Sequence, residues 1–385
     1  QQKDLSILYK LLADYPPVLE LEADMVVIEQ LLSDHSCRRI KPLNYDFAEI
    51  SRYLFMQFHR KAIAMEEFEF ALEFCQFFGK NENIFGMAKD QHYEFIAGTV
   101  ELETSVQTVI LDGSAKLQST RWKGFSIIEC DQLKTAYPNT HIHCILDNPT
   151  KSKLSNKKVF QKIIDATDEL LTQSDTDTIL FANKNLSSAP ILARAIDHLK
   201  QVIANKNSSI IPLPRGQHIG SNAGRTAQFA VVAMSLFRTV SAYALQTAIC
   251  RDEEIDADRI WSEAVFNGKK VLIPKFCRDG SFTDKKLNQQ YLKTLERDLY
   301  QAIMRGCIRE HSDAEYHVIA LVNIPQVVNL LKLDLPECHI HFLENEVLNL
   351  HFQGYSEAEI ARETGIATRT VRDQILKVSE YCRLD

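Results

Sequence analysis

The 385 residues carry 44 Lys and Arg against 51 Asp and Glu, a formal charge of −7 at pH 7, with 45% hydrophobic and 25% charged residues. This balance excludes a fibrous or wholly disordered chain and a surface uniformly coated for polyanions, while leaving room for a local basic channel. The length suits two or three domains with sizeable hydrophobic cores.

Nine cysteines at scattered positions such as Cys37, Cys75, Cys130 and Cys250 form no CxxC pair. That usage points to a reducing compartment, so a cytoplasmic location is expected. No run of eighteen apolar residues suggests a membrane span, and no signal peptide opens the chain. The first residue is Gln1 and not Met, as in a piece of something longer.

Residues 1–105 read as a helical region, because Phe47 to Phe78 keeps apolar and aromatic groups at spacings of three and four without Val/Ile alternation. From Val106 the texture changes to short apolar runs: 106–111, 125–130, 141–146, 178–182, 209–213, 229–234 and 316–322. Helical patterns at 156–173 and 189–205 alternate with them. Weak period-two character in such runs predicts strands of a parallel sheet covered on both faces, an α/β region across 106–335. Residues 340–385 read as a small helical domain. Ser356 and Glu359 form a capping-box pair, Gly365 supplies a turn, and Thr368 caps a second helix through Val371, Ile375 and Leu376. The two helices and their turn predict a helix-turn-helix.

Four clusters carry a resemblance. Tyr300 to Arg309, reading Tyr-Gln-Ala-Ile-Met-Arg-Gly-Cys-Ile-Arg, resembles the last conserved motif of superfamily 2 helicases, although Met304 stands where glycine is usual and Arg309 lies one residue beyond the common spacing. Gly220, Ser221, Asn222, Ala223, Gly224 and Arg225 resemble the penultimate motif, and Leu236 to Tyr243 resembles a segment of viral and mobile-element helicases. Thr178 to Lys184 resembles the strand and loop opening the second RecA-like domain, and Ile110 to Ala115 the motif coupling the two motor halves. The resemblance covers about 106–330 and implies a RecA-like parallel sheet domain.

What it implies for function is an ATP-dependent DNA helicase or translocase of viral or mobile-element type. Arg305 and Arg309, with Gln301, would stabilise the charge of a transferring phosphoryl group, and four-residue spacing would set both arginines on one helix face. Gly220 and Ser221 would approach the nucleotide. Asn183, Lys184 and Arg225 would touch a nucleic-acid backbone, and Ser114 and Ala115 would couple the halves. There is no G-x-x-x-x-G-K-[S/T] loop and no upstream acidic motif. ATP and Mg²⁺ would therefore belong to the intact motor, whose first domain is expected upstream, and not to this chain alone.

The terminal helix pair resembles those of bacterial regulators and recombinases. Thr368, Arg369, Thr370 and Arg372 would approach DNA from its second helix, with Lys377 on the backbone. Such domains also dock proteins, so a non-enzymatic DNA-binding or assembly protein is the competing class. Cys338, His339 and His341, and His141, His143 and Cys144, contain zinc-ligand types, but neither group has a partner pair at characteristic spacing, so no metal is assigned. The acidic residues Glu67 and Glu69, and Glu253, Glu254, Asp256 and Asp258, read as solvated faces and not as nuclease centres.

Overall fold

The computed structural model describes residues 18–41, 43, 45–60, 64–80, 83–89, 92–97, 136–147, 154–172, 176–183, 189–214, 222–234, 236–277 and 280–379. In chain order the described elements are α1 (Val18–Leu32), β1 (Arg38–Ile40), α2 (Phe47–His59), α3 (Met65–Lys80), β2 (Ile84–Lys89), β3 (His92–Ala97), β4 (Thr140–Leu146), α4 (Lys157–Leu170), β5 (Thr178–Ala182), α5 (Pro190–Asn205), β6 (Ile210–Pro214) and β7 (Phe229–Ala233). There follow α6 (Val240–Arg251), α7 (Ala257–Ile260), β8 (Trp261–Phe266), β9 (Lys269–Pro274), α8 (Lys285–Ile303), β10 (Tyr316–Val322), α9 (Pro325–Asp334), β11 (His339–Phe342), α10 (Glu346–Phe352), α11 (Glu357–Thr364) and α12 (Thr368–Ser379). They group into two compact units, one of residues 1–127, 238–277 and 282–291, the other of 128–237, 278–281 and 292–385.

In the first unit the helical pair expected over Phe47–Phe78 is present as α2 and α3. The expectation of helix alone is corrected by a three-stranded antiparallel sheet in the order β1-β2-β3. Alternation did not mark these strands because Phe85 and Met87 on one face and Ile84 and Ala88 on the other are all buried. Ile28, Leu32, Ile50, Leu54 and Phe74 join Ile84 and Ala88 in the unit's core. Arg38 ties β1 to Asp34, Glu254 and Asp256, and Arg39 bonds Asp252 and stacks over the Phe85 ring at 4.7 Å. Glu253 pairs with Arg259 and Lys286. The acidic run 253–256 is thus spent on ion pairs. A hairpin, β8–β9, turns at Asn267 and Gly268, both at positive φ, the arrangement an Asn-Gly pair favours.

The second unit is an α/β domain. Its six strands are all parallel, in the order β11-β4-β10-β7-β5-β6. The runs at 178–182 and 316–322 become β5 and β10 with the bounds their hydrophobicity gave, whereas those at 106–111 and 125–130 lie outside the described residues. On one face Ile145, Leu180, Val231, Ile319 and Leu321 pack with Phe160, Ile163 and Ile164 of α4 and Leu192, Ile196, Leu199 and Ile203 of α5. On the other, Ile142, Cys144, Val232, Val318 and Ala320 are equally buried, so both faces are covered and the strands lose their alternation. Asn156 caps α4 by accepting from the Lys158 N–H at 3.0 Å, and Pro190 opens α5 where no intrahelical donor is needed.

The terminal helices belong to this second unit. Ser356 and Glu359 complete the capping box, the Glu359 carboxylate accepting from the Ser356 N–H at 2.9 Å. Gly365 turns the chain at φ 69° before α12. Val347, Ile360, Val371 and Ile375 form a small core, with Ala361 and Ile366 against it. Among the described residues no helix is long and apolar enough to cross a membrane.

One consequence follows from burial of imidazoles on this sheet. Burial first, then the charges of His317, His339 and His341, depress His141 to about 4, against a weaker upward pull from Glu315. Burial and the charges of His341, His317 and His141 depress His143 to about 3. Unfolded, such rings titrate near 6.5, so between that pH and about 4 the unfolded chain binds more protons than the native one. Stability contributed by the neutral rings is complete above about pH 7 and declines as the pH falls below about 6.5. The urea midpoint should drop from pH 7.5 to 4.5, and His141→Gln should shallow that drop; an unchanged slope in the variant would contradict the assignment.

Candidate functional site

Two sequence-remote segments meet at the amino-terminal edge of the parallel sheet. The turn 222–227 leads into β7, and the segment 304–310 follows α8 and precedes β10. The Cys307 N–H donates to the Ala227 carbonyl at 2.9 Å, Thr226 Oγ1 donates to Asp177 Oδ2 at 3.0 Å just before β5, and Arg225 faces Glu310 at 3.5 Å. Two glycines make the approach possible. A Cβ on Gly224 would overlap the Ile179 side chain and lie 3.1 Å from the Arg305 carbonyl, and one on Gly306 would overlap the Tyr316 ring.

Arg305 and Arg309 do not share a helix face, which corrects the expectation from their spacing. Helix α8 ends at Ile303, Gly306 is extended at φ −80° and ψ −173°, and Arg309 falls in a short 3₁₀ turn, Cys307–Arg309. The guanidinium groups still feel one another. Arg305 is held below its ordinary pKa, first by burial and then by the positive charge of Arg309. Arg305 is buried and donates to Gln301 Oε1 at 2.7 Å, whereas Arg309 is exposed and donates to Asn222 Oδ1. The cluster therefore presents Arg309 and Arg225 to solvent, while Arg305 is buried and bonded to the half-buried Gln301.

Within the turn, the Arg225 N–H donates to the Asn222 carbonyl and the Ala227 N–H to that of Gly224. These two amides serve the turn, and the exposed guanidinium groups of Arg225 and Arg309 are cations that the site offers an anion. Such a donor set suits phosphoryl oxygens. Its two carboxylates, Asp177 and Glu310, are engaged by Thr226 and Arg225.

The other expected contacts are dispersed. Asn183 follows β5 at the carboxyl-terminal edge, with a buried Nδ2 that meets no hydrogen-bond partner among the described residues. Since β5 and β7 are parallel neighbours, Asn183 and Arg225 sit at opposite ends of the sheet, roughly 15 Å apart along strands rising about 3.3 Å per residue. Thr368, Arg369 and Thr370 are exposed at the start of α12, and Arg372 pairs with Glu357 of α11 at 2.8 Å. Gly220, Ser221, Ser114, Ala115, Lys184 and the side chain of Lys377 lie outside the described residues. Asn222 and Glu310 join the site only through tertiary contact, and no local spacing marks them.

The geometry makes Gly306→Ala a clean probe. Tyr316 is fully buried, so the added methyl meets a ring with nowhere to go, and the variant should lose about 1–3 kcal/mol of stability by urea unfolding. A neutral result would mean that the 304–310 segment is not seated on β10. The chain was compared with protein-family models, with curated proteins and with solved structures, and none matches.

Proposed function

We propose that the chain acts on DNA as the carboxy-terminal half of an ATP-driven helicase or translocase, presenting arginine to a nucleotide whose phosphates another domain grips. The observation that carries this reading is the convergence of Asn222 and Arg225 with Gln301, Arg305 and Arg309, across some 80 residues of sequence, on one edge of a parallel sheet. Open α/β sheets hold their own ligands at the carboxyl ends of the strands. A cationic cluster at the opposite edge is better suited to a phosphate bound elsewhere. When bound, ATP with Mg²⁺ would supply the transferring phosphoryl group, whose equatorial oxygens a fixed guanidinium stabilises.

The two arginines then have different parts. Arg309 is exposed and held in place by Asn222, so it can meet an incoming phosphoryl group without rearrangement. Arg305 packs under it, bonded to Gln301, and acts as a positioning residue unless that contact opens. The exposed Thr368, Arg369 and Thr370 at the amino end of α12 are suited to DNA, with the helix pair used as a helix-turn-helix. The second reading, a DNA-binding or assembly protein without hydrolysis, draws its support from the burial of Arg305.

DNA-stimulated ATP hydrolysis by the intact protein separates these readings. Arg309→Ala should lower kcat by about 10³-fold or more with melting unchanged, whereas Arg305→Ala should lower both hydrolysis and melting temperature. Full hydrolysis in Arg309→Ala would remove its role, and absence of hydrolysis in the intact wild type would leave the binding reading. For the terminal helices, Arg369→Ala should weaken DNA binding and change the slope of log affinity against log salt by about 1 if it meets a phosphate. An unaltered slope and affinity would exclude α12 from the contact.

A further inference from the structure

Five of the twelve histidines gather on one face of the sheet edge. Period two places His141 and His143 of β4 on the same face, and likewise His339 and His341 of β11. Parallel pairing without offset then sets His141 opposite His339 and His143 opposite His341, while β10 brings His317 opposite His141 from the other side. The two groups that lacked a partner pair in the sequence are partners of each other. Both strands carry His-Ile-His, and that repetition is the signal which spacing within either one does not reveal.

The rings stack, with His141 at 4.8 Å from His317 and 4.9 Å from His339, centroid to centroid. Two nitrogen pairs face each other at 3.1 Å: His141 Nδ1 with His341 Nε2, and His143 Nε2 with His317 Nδ1. The second pair is completed as a proton chain. Glu315 Oε1 lies 3.1 Å from His317 Nε2, and accepting the proton there leaves His317 Nδ1 as a bare acceptor for His143 Nε2–H. The first pair meets no carboxylate by hydrogen bond among the described residues and is half-buried. Two cis ligands each about 2.0–2.1 Å from one cation are themselves about 3 Å apart.

We propose that His141 Nδ1 and His341 Nε2 bind a divalent transition ion of the imidazole-preferring class, Zn²⁺ or Cu²⁺, with water completing its shell. No group of three His, Cys, Asp or Glu among the described residues is arranged to hold a metal, so the site is a two-imidazole clamp and not a closed structural centre. Its ligands are ready at neutral pH, because burial and neighbouring rings keep both imidazoles unprotonated and the ion does not have to displace a proton from a charged ring. The ion would bridge β4 to the four-residue edge strand β11, which leads directly into α10 and the terminal helices. Metal would thereby fasten the edge on which the terminal module is carried.

The test is titration of the tag-free chain with Zn²⁺ and, separately, Cu²⁺, read by calorimetry, by imidazole ¹⁵N resonances and by hydrogen exchange of residues 339–342. Saturable binding is expected, tighter for Cu²⁺ by the general order of divalent affinities, with slower exchange of the β11 amides. His141→Gln and His341→Gln should each weaken binding by at least about ten-fold, more than His317→Gln does, and far-ultraviolet circular dichroism shows whether each variant folds. No saturable binding by the wild type, or equal binding by all three variants, would overturn the site and leave the stack as hydrogen-bonded neutral rings. Because no nucleotide or DNA enters this experiment, its outcome is separate from that of the ATPase assay.

Discussion

Parallel pairing of the six described strands, the inner four largely buried on both faces, is the constraint on which the second unit rests. It forces every strand to run the same way, so the segments that enter β5, β7 and β10 gather at one edge and those that leave gather at the other. Asp177, the turn 222–227 and the segment 304–310 become neighbours because β5, β7 and β10 are also adjacent in the sheet. The same constraint drives the hydrophobic composition of β5, β7 and β10, whose residues on both faces are withdrawn from water.

Close approach at that edge depends on glycine. Gly224 and Gly306 leave room for Ile179 and Tyr316, and the room lets Ala227 and Cys307 share a backbone hydrogen bond. Helix α8 ends at Ile303 and Gly306 is extended, so Arg309 falls in a separate 3₁₀ turn, beyond the helix that carries Gln301. A buried arginine with an amide partner and an exposed one with another are chemically unlike: the first is costly to move, and the second is free to exchange Asn222 for an anion. The same guanidinium type thus meets two environments within five residues of sequence.

The histidine face shows how register creates a site that composition hides. Imidazoles separated by 200 residues lie 3.1 Å apart because β4 and β11 pair without offset, and a slip of one residue would send one set to the other face. Burial, and then the neighbouring rings that this register brings close, hold His141, His143 and His341 below the ordinary imidazole range. The edge is therefore sensitive both to protons and to cations that compete for the same lone pairs.

Strands and helices whose hydrophobicity is local were legible from residue order: β5 and β10 at their full bounds, α4 and α5 from apolar spacing, and the α11–α12 pair from Ser356, Glu359 and Gly365. Those signals are short-range, since caps, turns and helix faces are set within a few residues. Long-range packing set the rest: that residues 38–97 contain a sheet, that Arg305 is buried while Arg309 is not, that Asn183 and Arg225 occupy opposite ends of the parallel sheet, and that His141 meets His341. Each of these depends on which strand pairs with which and in what register, and pairing energy is shared between segments too distant for any local pattern to record.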